Sequence, residues 1–269
     1  MSFLLKFVIG IALIYLLLCL LLYLLQENII FLSQKLPVDY QFVFQDHKEV
    51  FLENTELDNG RIHALHFFTP QPQRGVILYF HGNAGNLAGW GRLGKEFNDL
   101  GYDLFMPDYR GYGKSTGKLS QSALFSDALL CYNYLKQHYT TEDIIIYGRS
   151  LGTGIATYLA SQVPARLLIL ETPFYSLSHI ARSYFSFLPV RLLNRYPLPS
   201  HQHLKSVTYP IYIFHGLQDE IVSYASAKKL YESLEGKKVE MISIPHGNHN
   251  NLGQFDKYQE GLKRILAYE

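Results

Sequence analysis

The sequence predicts an α/β fold: a mostly parallel sheet with helices on both faces, behind one N-terminal membrane-spanning helix. Three observations predict it. From Val76 onward, short apolar runs alternate with helical segments of about ten or more residues, as parallel strands joined by crossover helices require. In the middle of that pattern, apolar Ile144-Ile145-Ile146-Tyr147 passes through Gly148-Arg149-Ser150-Leu151-Gly152 into Thr153-Gly154-Ile155-Ala156-Thr157-Tyr158-Leu159-Ala160, which reads as strand, sharp turn and helix. At the N-terminus, no residue from Phe7 to Leu25 is charged, and Leu and Ile dominate.

The N-terminal run matches the ~20 residues that a helix needs to cross a ~30 Å hydrocarbon core. It is too long for the apolar region of a cleaved leader, and no Ala-x-Ala-like site follows. Leu18 before Cys19 is not the small residue that precedes a lipidated cysteine. The expectation is an anchor over residues 1–26, spanning at about 7–25, with the remaining 27–269 forming the second domain. Lys6 lies on one side of the span and Glu27 and Lys35 on the other. The positive-inside rule then leans towards a cytoplasmic N-terminus and a non-cytoplasmic main domain.

After a juxtamembrane connection over Gln26 to Pro37, strand-like runs cover Tyr40 to Phe44, Ile62 to Phe68 and Val76 to Phe80. Asp58-Asn59-Gly60 and Pro70-Gln71-Pro72 mark turns between them. The runs before Val76 are expected to form an antiparallel edge. Further strands are expected at 102–106, 144–147, 167–170, 210–214 and 239–244. Helices are expected near 86–99, 121–138, 151–163, 224–235 and 252–267. Between the strands at 167–170 and 210–214 lie about forty residues, more than one crossover needs. This stretch is rich in apolar and aromatic residues and broken by Pro189, Pro197 and Pro199. It reads as a cap-like insertion at about 174–208, over the carboxyl ends of the strands.

Composition narrows the function classes. The 269 residues are 48% hydrophobic and 17% charged, with a formal net charge of +1, so no basic excess points to nucleic acid. Two cysteines, Cys19 and Cys131, are too few for a disulfide framework. No His-Glu-x-x-His or cysteine pair has metal-ligand spacing, and the glycine-rich Asp108–Ser115 turn lacks phosphate-loop spacing, so neither a metal nor a cofactor is expected.

The turn at Ser150 carries the chemistry. A serine hydroxyl attacks only when a histidine takes its proton, and that histidine needs a carboxylate to fix its tautomer. On a strand–turn–helix nucleophile the chain order is Ser, then Asp or Glu, then His, each just after a strand. Asp219, in His215-Gly216-Leu217-Gln218-Asp219 after the strand at 210–214, is the expected acid, with Glu171 as competitor. His249, in His246-Gly247-Asn248-His249 after the strand at 239–244, is the expected base, with His246 as competitor. His201 and His203 precede the acid and read as surface or packing histidines. Two amides should receive the oxyanion, one from Leu151 and one from the His81-Gly82-Asn83-Ala84 loop, with Asn83 preferred. His81 is expected to brace that loop. Asp108 and Arg110 are expected to pair with each other or to support the same loop.

These motifs resemble the α/β-hydrolase superfamily, and within it the membrane-anchored, serine-aminopeptidase-like abhydrolase proteins. The likeness runs from roughly Ile29 to the C-terminus through His81–Asn86, Asp108–Gly113, Gly148–Gly152, Glu171-Thr172-Pro173-Phe174, His215–Asp219 and Gly247–Asn250. The resemblance implies a Ser150–Asp219–His249 triad. Related proteins include acyl-protein thioesterases and lysophospholipid hydrolases. The thioesterase branch carries an N-terminal cysteine cluster where this chain has its apolar run. The leading expectation is hydrolysis of esters or thioesters bearing an acyl chain or lipid-like group at the membrane. Alternatives are a peptidase acting on small peptides and a non-catalytic membrane scaffold.

Overall fold

The first 30 residues and the rest of the chain follow different rules. In the computed structural model, which describes residues 2–55, 57–58 and 60–267, helix α1 runs over Phe3–Ile30. Ser2 caps its start by accepting from the Leu5 amide. Almost all of its surface is exposed, only Cys19 and Gln26 being buried. A helix apolar all round and unburied is the form expected in lipid. It continues five residues beyond the expected span, because Gln26 and Glu27 find polar partners at Leu193, Arg195 and Tyr196. Strand β1 (Leu32–Ser33) then pairs in parallel with β5 (Ala84–Gly85).

An eight-stranded sheet follows. Its strands are β2 (His47–Asn54), β3 (Gly60–Phe67), β4 (Val76–Phe80), β6 (Asp103–Pro107), β7 (Ile144–Arg149), β8 (Leu167–Glu171), β9 (Ile211–Gly216) and β10 (Val239–Ile244), in spatial order β10-β9-β8-β7-β4-β6-β3-β2. From β10 to β6 every pairing is parallel, and β3 alone runs against its neighbours. The expected antiparallel edge is therefore the β2–β3 hairpin. The Tyr40–Phe44 run is not a strand: β2 occupies the edge, and Phe42 and Phe44 instead stack near His63 and Phe67. Asn59, within the expected hairpin turn, lies outside the described residues.

Alternate residues of the central strands face opposite cores. Val76, Leu78, Ile144 and Ile146 pack under α4 (Gln121–Leu135), α5 (Leu151–Gln162) and α9 (Tyr224–Glu232). Ile77, Tyr79, Ile145 and Tyr147 pack under α2 (Leu87–Trp90), α3 (Leu93–Asn98) and α10 (Asp256–Ala267). The helix expected at 86–99 is divided into α2 and α3. Gly91 closes α2, and a side chain there would run into the Phe44 ring, so the position accepts only glycine. The final helix also starts later than expected, after a short 3₁₀ turn over Leu252–Gln254. The cap segment holds three short helices, α6 (Leu177–Tyr184), α7 (Val190–Leu193) and α8 (Ser200–His203).

Candidate active site

The carboxyl ends of β4, β7, β9 and β10 converge on one rim. Ser150 follows β7 with φ 50° and ψ −117°, a left-handed conformation that costs energy in any residue but glycine. Packing holds it there. A Cβ on Gly148 would sit 2.7 Å from the Ala156 Cβ, and one on Gly152 would fall on the Phe80 carbonyl oxygen. Both glycines are thus demanded by the closeness of α5 to β4 and β7. The Ser150 amide donates to the Glu171 carbonyl at 2.9 Å, and its carbonyl accepts from the Thr153 hydroxyl at 2.6 Å. With the backbone fixed, the hydroxyl stands at the start of α5, where the first amides of a helix lack internal partners.

His249 Nε2 lies 2.8 Å from Ser150 Oγ, and its Nδ1 lies 2.8 Å from Asp219 Oδ2. The second Asp219 oxygen accepts from the Ile221 and Val222 amides at 2.9 and 2.8 Å. Burial alone would raise the Asp219 carboxyl. The His249 hydrogen bond and charge, with the Val222 amide, outweigh it and hold the group below the ordinary carboxylate value. Asp219 is therefore an ionised acceptor at neutral pH. The arrangement permits a relay in which Ser150 donates to Nε2 while Nδ1–H donates to the carboxylate.

The competitors stand elsewhere. Glu171 accepts from the Tyr147 and Tyr258 hydroxyls at 2.6 and 3.0 Å and meets Arg149 Nε at 3.2 Å. His246 is exposed and faces Gln218. His201 stacks on Tyr175 with ring centres 3.9 Å apart, and His203 packs edge-on to Phe125 and Tyr158.

Leu151 opens α5, which leaves its amide among the unpartnered donors of the first turn. The Asn83 side chain donates to the Ile30 carbonyl at 3.2 Å, and its own carbonyl accepts from the Leu32 amide and the Tyr112 hydroxyl. These bonds fix the loop and leave the Asn83 main-chain amide as the group it can present. Asp108 and Arg110 do not pair with each other. Arg110 forms two bonds to Asp127 and one to Asp58, because α4 and the β2–β3 hairpin carry those acids to it. Asp108 Oδ1 lies 3.3 Å from His81 Nε2, and Asp108 Oδ2 accepts from the Leu87 amide. His81, wholly buried, stacks between Trp90 and Tyr109.

Three supporting groups were not singled out from the sequence. The Tyr109 hydroxyl donates to the His81 carbonyl at 2.6 Å, and Tyr112 donates to Asn83 at 2.7 Å, so this turn braces the loop through its tyrosines. His215 donates to the Val222 carbonyl at 2.8 Å and lies 3.3 Å from Asp219 Oδ2. Burial lowers its imidazole below the usual value, which keeps it neutral. Its place at the end of β9, four residues before the acid, was the available signal.

Ser150 and His249 open into a cavity of about 650 Å³, within the usual range for small-molecule sites. Phe174, Leu177, Ile180 and Leu188 from the cap form one side. Arg149 is the one permanently charged side chain on the described lining.

Comparison with known proteins agrees with this architecture. A family model described as the alpha/beta hydrolase fold matches residues 75–183. The lysophosphatidylserine lipase ABHD12 of Danio rerio is 36% identical over 198 residues, 64% of this chain and 52% of that protein. The alpha/beta hydrolase domain-containing protein 17C of Mus musculus is 30% identical over 245 residues, 88% of this chain and 73% of that one. This chain thus spans about half the length of the first relative and nearly three quarters of the second. Among solved structures, the Pyrococcus furiosus esterase Pf2001 superposes with a TM-score of 0.66 at 19% identity, over 88% of this chain and 96% of that chain. The family model and these relatives place the chain in one family: it belongs to the α/β-hydrolase superfamily.

Proposed function

We propose that this protein is a membrane-anchored serine hydrolase that cleaves carboxylic esters or thioesters carrying an acyl chain or lipid-like group. The observation that carries the reading is the Ser150–His249–Asp219 hydrogen-bond chain facing an apolar cavity. Ser150 Oγ attacks the acyl carbonyl carbon as His249 Nε2 takes its proton. The Leu151 and Asn83 amides receive the oxyanion. Collapse breaks the bond to the leaving oxygen or sulfur, which takes the proton from His249 and departs, leaving an acyl group on Ser150. Water, deprotonated by His249, then attacks the acyl-enzyme and releases the carboxylic acid while the proton returns to Ser150.

The apolar lining and the similarity to a protein named as a lysophosphatidylserine lipase favour a lipid-like acyl donor. A peptidase would need an acid to hold the substrate amine, and no Asp or Glu stands on the described lining. The test is a panel of esters and thioesters of graded acyl length, with matched amino-acyl amides, turned over by the full chain and by Ser150→Ala. Acyl-ester turnover abolished by Ser150→Ala supports the reading. Turnover of the amides alone would replace it with the peptidase.

A further inference from the structure

Helix α1 does not hang from a flexible tether. Gln26 is 8% exposed, its amide nitrogen donates to the Leu193 carbonyl at 3.1 Å, and its oxygen accepts from the Arg195 amide at 2.8 Å. Glu27 Oε1 holds the Arg195 guanidinium at 2.6 Å and the Tyr196 hydroxyl at 2.7 Å. Phe31 packs edge-on to Tyr196 with ring centres 4.9 Å apart. The Ile30 carbonyl is the acceptor for the Asn83 side chain on the loop beside Ser150. The end of the anchor is thus tied to both the cap and the oxyanion loop.

The same end is a wall of the cavity. Leu22, Gln26, Ile29 and Ile30 line the void that Ser150 and His249 also line. From Leu22 to Ile30 the helix advances about 12 Å at 1.5 Å per residue. Further along α1, the Tyr15 hydroxyl donates to the Phe187 carbonyl at 3.0 Å. Tyr15 stands eleven positions before Gln26, or about 16 Å along the axis, roughly half of a ~30 Å hydrocarbon core. The cap tip therefore reaches well down the flank of a helix that is itself apolar enough to span a bilayer. That tip is exposed and apolar: Tyr184 is 59% exposed, Phe187 62% and Leu192 82%. Part of its backbone is satisfied locally, with the Phe185, Leu188 and Val190 amides donating to the Ala181, Phe185 and Leu188 carbonyls. Such pairing lowers the cost of taking those groups into lipid. Arg182 and Arg191, both exposed, have stems long enough to reach headgroups from beside it.

We propose that the cap tip inserts into the leaflet beside α1, and that a lipid acyl chain enters the cavity sideways between cap and helix and lies along Leu22 and Ile29. The anchor is then a determinant of acyl-chain selectivity as well as an attachment. The selectivity part rests on the hydrolase reading of Ser150; the insertion part does not.

Two experiments on the full chain in phosphatidylcholine vesicles separate these parts. For insertion, Phe187→Trp is placed in a Trp90→Phe background, which removes the single native tryptophan. Vesicles brominated on the acyl chains should quench its emission strongly. Emission equal to that in unbrominated vesicles would overturn the insertion, whatever Ser150 does. For selectivity, Leu22→Trp fills the cavity alongside α1, and the hexadecanoyl-to-butanoyl ratio of kcat/KM should fall roughly tenfold or more. Ile29→Ala enlarges the same wall, and the ratio should rise. Ratios unchanged in both variants would overturn the role of α1. Fluorophosphonate labelling of the same preparations distinguishes the causes: labelling with unchanged ratios sinks the selectivity claim alone, whereas an unlabelled intact chain sinks the hydrolase reading and the selectivity claim with it.

Discussion

Asp219 shows how much of the proposed chemistry depends on single atoms. Its Oδ1 anchors the loop through two amides, while Oδ2 faces His249. Asp219→Asn keeps an acceptor for the loop but loses the charge and permits the wrong imidazole tautomer. It should lower kcat on a short ester roughly a thousand- to ten-thousandfold with little change in KM. A drop of only a few fold in steady-state assays would remove Asp219 from the mechanism. At this scale the sequence pointed to Ser150, Asp219 and His249, which the fold brings within hydrogen-bond distance, because each follows a strand in a fixed chain order. It gave no comparable sign of Gln26 or Glu27. A polar pair ending an apolar run reads as an interface boundary, and its partners at Leu193, Arg195 and Tyr196 are distant in sequence.

At the scale of elements, β4, β6, β7 and β8 were legible because both faces are covered, which makes the body of each a continuous apolar run, with charge only at an end (Asp103, Arg149 and Glu171). Strand β2 was not legible. It is an edge strand, and its His47-Lys48-Glu49 start is mostly polar. The antiparallel neighbour β3 holds a second test. His66 is 2% exposed, its Nε2 lies 3.1 Å from the Tyr139 hydroxyl, and burial pushes its imidazole from 6.5 down to about 4. The unfolded chain binds this proton more readily than the folded one between those values. The contribution to stability is therefore full above pH 6.5, falls as the pH drops towards 4, and is flat below. Replacing His66 with Leu should reduce the acid-induced loss of stability across that window by up to about 3 kcal/mol. Thermal melts at pH 7 and pH 4 check this; equal acid sensitivity in the two proteins would mean that His66 is not buried neutral.

For the whole molecule, the main division is between a helix with almost no buried surface and a sheet with two buried faces. Hydropathy alone revealed that division, because an uncharged run of this length has few other uses. The docking of the helix against the cap was invisible, since it depends on how loops far apart in the chain meet. If α1 spans a bilayer, the full chain should stay with membranes through high-salt and alkaline carbonate washes. Release by carbonate, seen as protein in the supernatant, would reduce α1 to a surface contact.

Above all, the geometry around Ser150 should make its hydroxyl an activated nucleophile. The most direct measurement exposes membranes bearing the full chain, or its Ser150→Ala variant, to a fluorophosphonate probe and maps the modified peptide. Covalent labelling is expected on Ser150 and is expected to be absent from the variant. A folded, membrane-inserted chain left unlabelled, or labelled equally without Ser150, would contradict it.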